Sequence, residues 1–178
     1  QTSVPEDLSK PTLVASTYAH TCAIDDNGVV CWGNNFNGQT DVPSLDAPQQ
    51  VGTGQWHTCA LDDSGVMCWG YNGDGQGDVP TLNNPTQLSV GYRHSCSVDD
   101  SGVQCWGYNE DGQIDVPTLT DATEVSAGSQ HTCALDESGV TCWGDNGIGQ
   151  TSVPDLSNPA QLATGGYHTC VMDDSGVV

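Results

Sequence analysis

A cysteine recurs every 37 residues in this chain of 178 residues, inside a segment that repeats almost unchanged. The segment begins at His20 and ends at Gly33. Its further copies lie at residues 57–70, 94–107, 131–144 and, incomplete, 168–178. A fixed period of this length predicts stacked units that share a core, because one unit alone buries too little apolar surface. Residues 1–178 are therefore predicted to form a single repeat array, and we expect this array to be part of a longer chain or ring.

Each repeat is predicted to contain four short β-strands. The sequence has 22 glycines and 9 prolines and no apolar stripe with helical spacing. A hairpin follows each His, a short apolar strand precedes it, and a further extended piece such as Asp41–Pro43 completes the unit. The sequence thus predicts an all-β propeller, or a partial propeller, of about five four-stranded blades. A closed ring of five blades, a fragment of a longer propeller and an open array all remain compatible with this pattern.

The two cysteines of each repeat bracket a polar turn that ends in glycine. If Asp26 and Asn27 form the tip, Cys22 faces Cys31 across the hairpin, at a separation compatible with a disulfide. The predicted bridges are Cys22–Cys31, Cys59–Cys68, Cys96–Cys105 and Cys133–Cys142, with Cys170 unpaired within this chain. Metal binding fits less well, because zinc sites usually hold cysteines two to four residues apart. Disulfides predict a secreted, extracellular or periplasmic location.

The repeat as a whole resembles that of a known family. The run His-Thr-Cys-Ala-Leu, followed by Gly-Val-x-Cys-Trp-Gly-x-Asn-x-x-Gly-Gln, is similar to the regulator of chromosome condensation repeat. Its cysteines resemble those of secreted bacterial members, and the tails 39–43 and 150–154 are similar to propeller-type β-lactamase inhibitor proteins. The family's nuclear founder acts on a small GTPase and chromatin, and the disulfides and acidity here argue against that role. The resemblance therefore implies a scaffold without choosing a partner.

The net charge excludes several classes of partner. The chain carries 23 Asp and Glu residues against 2 Lys and Arg residues, a formal net charge of −21. Nucleic-acid binding needs clustered Lys and Arg, so no nucleic-acid partner is predicted. No segment approaches the 18 or more apolar residues of a membrane-spanning helix, so no membrane insertion is predicted.

The positions that vary between repeats are predicted to lie on one rim. They fall just before each His and just after each Trp-Gly, and a hairpin brings these two places to the same end of the blade. Aromatic residues and arginine on rigid loops are typical anchors of a protein interface. The candidate binding residues are Tyr18, Phe36, Trp56, Tyr71, Tyr92, Arg93, Tyr108 and Tyr167. The resemblance to the inhibitor proteins places Trp56 and Tyr167 where relatives contact their bound enzyme. The alternative is that these side chains pack against neighbouring loops.

Catalysis finds no support in the sequence. One His recurs at the same scaffold position of every repeat, and no repeat holds a nucleophile, His and carboxylate set of its own. We therefore expect no enzyme activity and no cofactor. Four aspartates in two glycine-broken loops resemble calcium ligands: Asp74, Asp78, Asp111 and Asp115. The predicted function is a non-catalytic, secreted, protein-binding propeller. The alternative is a structural or surface-assembly module of a larger extracellular protein or filament, which would act through self-assembly.

Overall fold

The computed structural model describes residues 3–178, which form five antiparallel sheets of three strands each. The strands are β1 (Leu13–Ser16), β2 (His20–Asp25), β3 (Gly28–Gly33), β4 (Gln50–Thr53), β5 (His57–Asp62), β6 (Gly65–Gly70), β7 (Gln87–Val90), β8 (His94–Asp99), β9 (Gly102–Gly107), β10 (Glu124–Ala127), β11 (His131–Asp136), β12 (Gly139–Gly144), β13 (Gln161–Thr164), β14 (Thr169–Asp173) and β15 (Gly176–Val177). Each sheet is one blade, with its strands in chain order. The described residues form no helix long and apolar enough to cross a membrane. The all-β prediction is confirmed.

The hairpin register is the predicted one. In the first blade Cys22 lies opposite Cys31 and Asp25 opposite Gly28, so that Asp26 and Asn27 form the tip. Gly28 has a φ of 118°, a conformation that side chains with a Cβ rarely adopt, which explains the glycine at the end of each turn. Four disulfides join the opposed cysteines, with Cα–Cα distances of 4.0–4.1 Å. Cys170 has no disulfide partner within residues 3–178.

The number of strands per blade differs from the predicted four. The extended pieces that follow each hairpin, such as Asp41–Pro43, belong to no sheet. The N–H of Val42 donates to the carbonyl of Thr40 at 3.1 Å, and the N–H groups of Val79 and Val116 bond in the same local way. The proline that follows each of these valines has no N–H to offer a neighbouring strand. These segments therefore lie beside the blade without extending its sheet.

The core lies between blades rather than within one. Cys22 and Ile24 of the first blade pack against Val51 of the second, and all three are at most 7% exposed. The same arrangement joins the fourth blade to the fifth, where Cys133 packs against Leu162. Because each blade contributes apolar atoms to its neighbour's core, the repeats stabilise one another, as stacked arrays do. The disulfides thus serve as core residues as well as cross-links.

Residues from the first strands of all five sheets line one open axial cavity of about 570 Å³. The lining includes Ser16, Thr53, Val90, Ala127 and Thr164, one residue from each of these inner strands. No Asp, Glu, Lys or Arg of the described part of the chain lines this cavity, although the full sequence carries a net charge of −21. The acidic groups therefore lie elsewhere, mostly on the hairpin tips and loops, with Glu124 at the start of an inner strand.

Candidate protein-binding rim

The two variable loops of each blade lie at the same end of the molecule. We define the variable rim as the loops before each His (17–19, 54–56, 91–93, 128–130 and 165–167) together with those after each Trp-Gly (34–37, 71–74, 108–111 and 145–148). The main-chain N–H of Tyr71 donates to the carbonyl of Trp56 at 2.8 Å, and the first, third and fourth blades repeat this bond at 2.8–3.0 Å. These hydrogen bonds hold each pair of loops together at the end of its hairpin.

Three tyrosines from alternate blades converge at the centre of the rim. The rings of Tyr18 and Tyr92 meet edge to face, with centroids 6.4 Å apart. Tyr92 also lines the axial cavity. Burial raises the pKa of Tyr92, and the neighbouring phenols of Tyr18 and Tyr167 raise it further. Tyr18 and Tyr167 are 69% and 60% exposed. The rim thus presents a cluster of phenol rings beside the mouth of the axial cavity.

The other apolar candidates differ in how far they are exposed. Phe36 is 94% exposed in the loop after the first hairpin. Trp56 and Tyr71 are half-buried, and their rings pack edge to face with centroids 5.5 Å apart. For these two residues the structure shows packing between adjacent loops of one blade. Phe36 therefore contributes accessible apolar surface, whereas Trp56 and Tyr71 also stiffen their part of the rim.

Arg93 bridges the second and third blades. Its Nε and one terminal nitrogen donate to Oδ2 of Asp74 at 2.9 and 2.6 Å. Its guanidinium carbon lies 4.1 Å from the centroid of the Tyr108 ring, a cation–π contact. The hydroxyl of Tyr108 in turn donates to Glu110 at 2.5 Å. Arg93 and Tyr108 therefore belong to a network that ties two blades together at the rim.

The sequence did not single out Gln130, which makes the equivalent contact one blade further on. Its Nε2 donates to Oδ2 of Asp111 at 2.7 Å. Arg93 with Asp74 and Gln130 with Asp111 are both pairs separated by 19 residues. The sequence contained a signal for both pairs. Arg93 and Gln130 directly precede a repeat histidine, and in each case an aspartate lies 19 residues before the donor.

The four aspartates that resembled calcium ligands have protein partners. Asp74 and Asp111 accept the bonds from Arg93 and Gln130 described above. Asp78 accepts from Asn72 at 2.8 Å, and Asp115 accepts from Asn109 at 2.8 Å. Among residues 3–178, no three His, Cys, Asp or Glu side chains are grouped closely enough to hold a metal ion.

The opposite end of each blade is acidic. The first aspartate of each tip in the four full repeats is 5–8% exposed: Asp25, Asp62, Asp99 and Asp136. Burial alone would raise the pKa of Asp62, but hydrogen bonds from the Ser64 hydroxyl and from main-chain N–H groups outweigh it and lower that pKa. The second acidic residue of each tip is exposed: Asp26, Asp63, Asp100, Glu137 and Asp174. The two ends therefore differ in chemistry, with aromatic side chains on one and solvated carboxylates on the other.

The sequence matches the family model described as the regulator of chromosome condensation (RCC1) repeat at residues 12–39, 49–76, 86–113 and 122–150. These segments cover more than half of the chain. No curated protein matches the sequence at a significant level.

Several solved structures share the fold. The ectodomain of the Physcomitrella patens receptor kinase CR4 is 24% identical, with a TM-score of 0.77. The ectodomain of the Arabidopsis thaliana receptor kinase ACR4 is 25% identical, with a TM-score of 0.75. Prp20p from Saccharomyces cerevisiae is 20% identical, with a TM-score of 0.79. Each match covers 96% of this chain but only 53%, 63% and 56% of the respective solved chain. This chain thus spans less than two thirds of the length of the proteins that it resembles.

Proposed function

Because the chain belongs to the regulator of chromosome condensation (RCC1) repeat family, we propose that it is a non-catalytic, extracellular propeller that binds a protein partner through its variable rim. The observation that carries this proposal is the exposure of Tyr18, Phe36 and Tyr167, which are 60–94% exposed. Large exposed aromatic side chains on loops held by a rigid scaffold are typical of protein interfaces.

The relatives support a binding role in general terms. The structure of Prp20p is described together with its binding to Gsp1p and histones. A second structure of the same yeast protein contains bound Kap60. These partners belong to that protein. The present chain has a net charge of −21, which would repel nucleic acid. The shared feature that we carry over is the use of a propeller scaffold to bind other proteins.

The proposed location rests on two observations. Four disulfides each close the hairpin of one blade, and disulfides persist in oxidising compartments. The receptor kinases CR4 and ACR4 carry this fold in their ectodomains. Both observations favour an extracellular protein.

The rim residues divide into contact residues and supporting residues. We propose Tyr18, Phe36, Tyr92 and Tyr167 as contacts, since they form the central cluster and the most exposed apolar surface. The remaining candidates, Trp56, Tyr71, Arg93 and Tyr108, hold the loops in place through the contacts described above. Loss of a contact residue should weaken binding directly, whereas loss of a supporting residue should act by loosening the rim.

The test compares two sets of alanine variants. The combined variant Tyr18→Ala, Phe36→Ala and Tyr167→Ala removes the exposed rings. Capture of partners from the extracellular medium of the source, followed by mass spectrometry and a measured Kd, should show about a hundredfold loss or more relative to the wild type. The matched control is Met67→Ala with Met172→Ala, because these apolar residues are 37% and 45% exposed on strands away from the rim. Equal capture by wild type and triple variant would exclude the rim as the binding surface.

Sedimentation of the purified protein alone tests the alternative function, self-assembly, which would produce larger particles.

A further inference from the structure

Each interface between neighbouring blades buries one imidazole ring. His20, His57, His94 and His131 are all 0% exposed. The proposed function uses none of these side chains. Each one nevertheless directly follows a rim loop, because the rim residues Tyr18, Trp56 and Tyr92 lie only one or two positions before a histidine.

At three of these four interfaces, the hydrogen bonds fix the proton on Nε2. The Nε2 atoms of the four histidines lie 2.8–3.1 Å from hydroxyl oxygens of the next blade: Thr58, Ser95, Thr132 and Thr169. Thr58 donates its own hydrogen to the main-chain carbonyl of Gln39 at 2.7 Å. Thr132 and Thr169 donate in the same way to Gln113 and Gln150. A hydroxyl that has already used its hydrogen can only accept, so the imidazole donates through Nε2.

The other ring nitrogen has no hydrogen-bond partner among residues 3–178. The Nδ1 atoms of all four histidines are buried and unpartnered. A glycine three residues earlier closes off this side of the ring in the second, third and fourth blades. A Cβ added at Gly54 would lie 2.4 Å from Nδ1 of His57 and 2.8 Å from the carbonyl oxygen of Gly91 in the next blade. A second proton on the imidazole would therefore sit on Nδ1, where no acceptor is in place to receive it.

The surrounding charges do little to favour an imidazolium. The charged neighbours acting on His94 are two further imidazoles, His57 and His131. For His57, the charge of His20 lowers the pKa further, and the charge of Asp74 raises it. Burial lowers the pKa of His20 and His57 to about 4 and that of His94 to about 3. Burial also lowers the pKa of His131, and the charge of His168 acts in the same direction, whereas Asp145 and a hydrogen bond with the main chain of His168 raise that pKa.

We propose that these four histidines form an acid-sensitive switch, in which protonation separates neighbouring blades and loosens the variable rim. The separation follows from adding uncompensated charge to four equivalent interfaces. The loosening of the rim follows from the chain connection between each histidine and its loop. The consequence for partner binding rests on the proposed function, but the separation of the blades does not.

The direction of the pH dependence follows from the lowered pKa values. The ordinary histidine pKa is 6.5. Below this pH a histidine in an opened interface binds a proton, whereas the same histidine in the closed interface stays neutral until the pH approaches its lowered pKa. The stabilising effect is complete above about pH 6.5 and is lost as the pH falls toward 4. The aspartates at the hairpin tips have pKa values below 3.8 and respond only at lower pH. Burial raises the pKa of Glu124, so protonation of this carboxyl increases the stability of the folded protein as the pH falls, opposite to the effect of the histidines.

The first experiment measures protonation and stability on the whole chain. Nuclear magnetic resonance of the ring nitrogens should show neutral imidazoles with hydrogen on Nε2 in the folded protein at pH 5. Denaturant unfolding between pH 7.5 and 4.5 should show the unfolding equilibrium constant rising by up to about tenfold per pH unit for each histidine. Carrying out both in a Glu124→Gln background removes the opposing carboxyl. Rings that titrate near pH 6.5 while the protein stays folded would overturn the proposal, as would a flat stability profile.

Variants assign the effect to the interfaces. His94→Gln keeps a donor for the Thr132 hydroxyl but cannot titrate, so the pH dependence should fall by about one proton. Met67→Ala is the control, since this partly exposed side chain does not titrate, and it should leave the pH dependence as in the wild type. If His94→Gln does not fold, the ring measurements on the wild type decide alone.

A separate measurement tests the link to the rim. Partner capture should be lost at pH 4, where the buried rings take up protons, and recovered on return to pH 7.5, in parallel with stability. Capture that persists while stability falls would show that the switch does not reach the rim. If the rim binds no protein at any pH, the proposed function fails, while the ring and unfolding measurements still judge the histidines.

Discussion

Residue 124 is a glutamate where the second and third blades carry a glutamine at the same point of the inner strand. The amide of Gln87 accepts from the N–H of Val125 at 2.8 Å and donates to its carbonyl at 2.9 Å, which links two inner strands. Gln50 makes two such bonds to the third blade. Within the described residues 3–178, Glu124 makes only one such bond, accepting from the N–H of Leu162 at 3.2 Å. An ionised carboxylate has no hydrogen to donate, so the second bond is missing.

Replacing this carboxylate should stabilise the protein. We expect Glu124→Gln to raise the free energy of unfolding by about 1 kcal/mol at pH 7.5, because the amide supplies the missing donor. Burial raises the pKa of Glu124, so the wild type gains stability as the pH falls through that pKa. The advantage of the variant should therefore shrink in acid, measured by urea unfolding at several pH values. Gln87→Glu is the reverse control and should lose a similar amount. An advantage that grows as the pH falls would contradict this account.

The hairpin as an element is held at its tip as well as by its disulfide. In the third blade, Oδ1 of Asp99 accepts from the N–H and the hydroxyl of Ser101 at 2.8 and 2.6 Å. Its Oδ2 accepts from the N–H of Asn83 at 2.8 Å, which fastens the incoming loop to the turn. Asp100 beside it is exposed and accepts from the side chain of Asn84 at 2.6 Å. Two adjacent aspartates thus have different roles in one turn.

This difference predicts different costs for the same substitution. Asp99→Asn should lower the free energy of unfolding by about 1–3 kcal/mol. The asparagine NH2 group would replace one of the two accepting oxygens and could not accept the hydrogen bond made there. Hydrogen bonds lower the pKa of Asp99 despite its burial, so the loss should be present at pH 7 and disappear below the ordinary pKa of 3.8. Asp100→Asn should change stability by less than about 0.5 kcal/mol. Equal effects of the two variants in thermal or urea unfolding would show that the tip does not act as a clamp.

The charge of the whole molecule opposes its own compactness. A net charge of −21 produces self-repulsion that salt screens, because the Debye length falls from about 30 Å at 0.01 M to about 8 Å at 0.15 M. Only two ion pairs of Lys or Arg are present among residues 3–178, Lys10 with Asp26 and Arg93 with Asp74, so screening weakens few attractive contacts.

Raising the salt concentration should therefore stabilise the protein. We expect the free energy of unfolding to increase by about 1–2 kcal/mol between 0.02 and 0.5 M NaCl at pH 7.5. A variant that neutralises four exposed tip residues, Asp63→Asn, Asp100→Asn, Glu137→Gln and Asp174→Asn, should show a smaller increase. KCl at equal ionic strength serves as the control for ion-specific effects. A loss of stability with added salt would mean that attractive ion pairs outweigh the repulsion.

The sequence alone determined the features that depend on neighbours along the chain. The period of 37 residues, the register of each hairpin and the pairing of Cys22 with Cys31 follow from short spacings, because a two-residue turn leaves one arrangement for the strands beside it. The common rim followed for the same reason. The prediction of four strands was wrong in one strand per blade, since local hydrogen bonds satisfy the Val-Pro segments without a partner strand.

Only the tertiary structure showed which residues of neighbouring blades contact one another. The spacing of residues could not show that Tyr18 of the first blade meets Tyr92 of the third. It also could not show that His20 and His94 donate to hydroxyls of the following blades. These contacts depend on the distance and rotation between stacked sheets. The packing of apolar side chains between the blades sets that geometry, and no single repeat contains both sides of it.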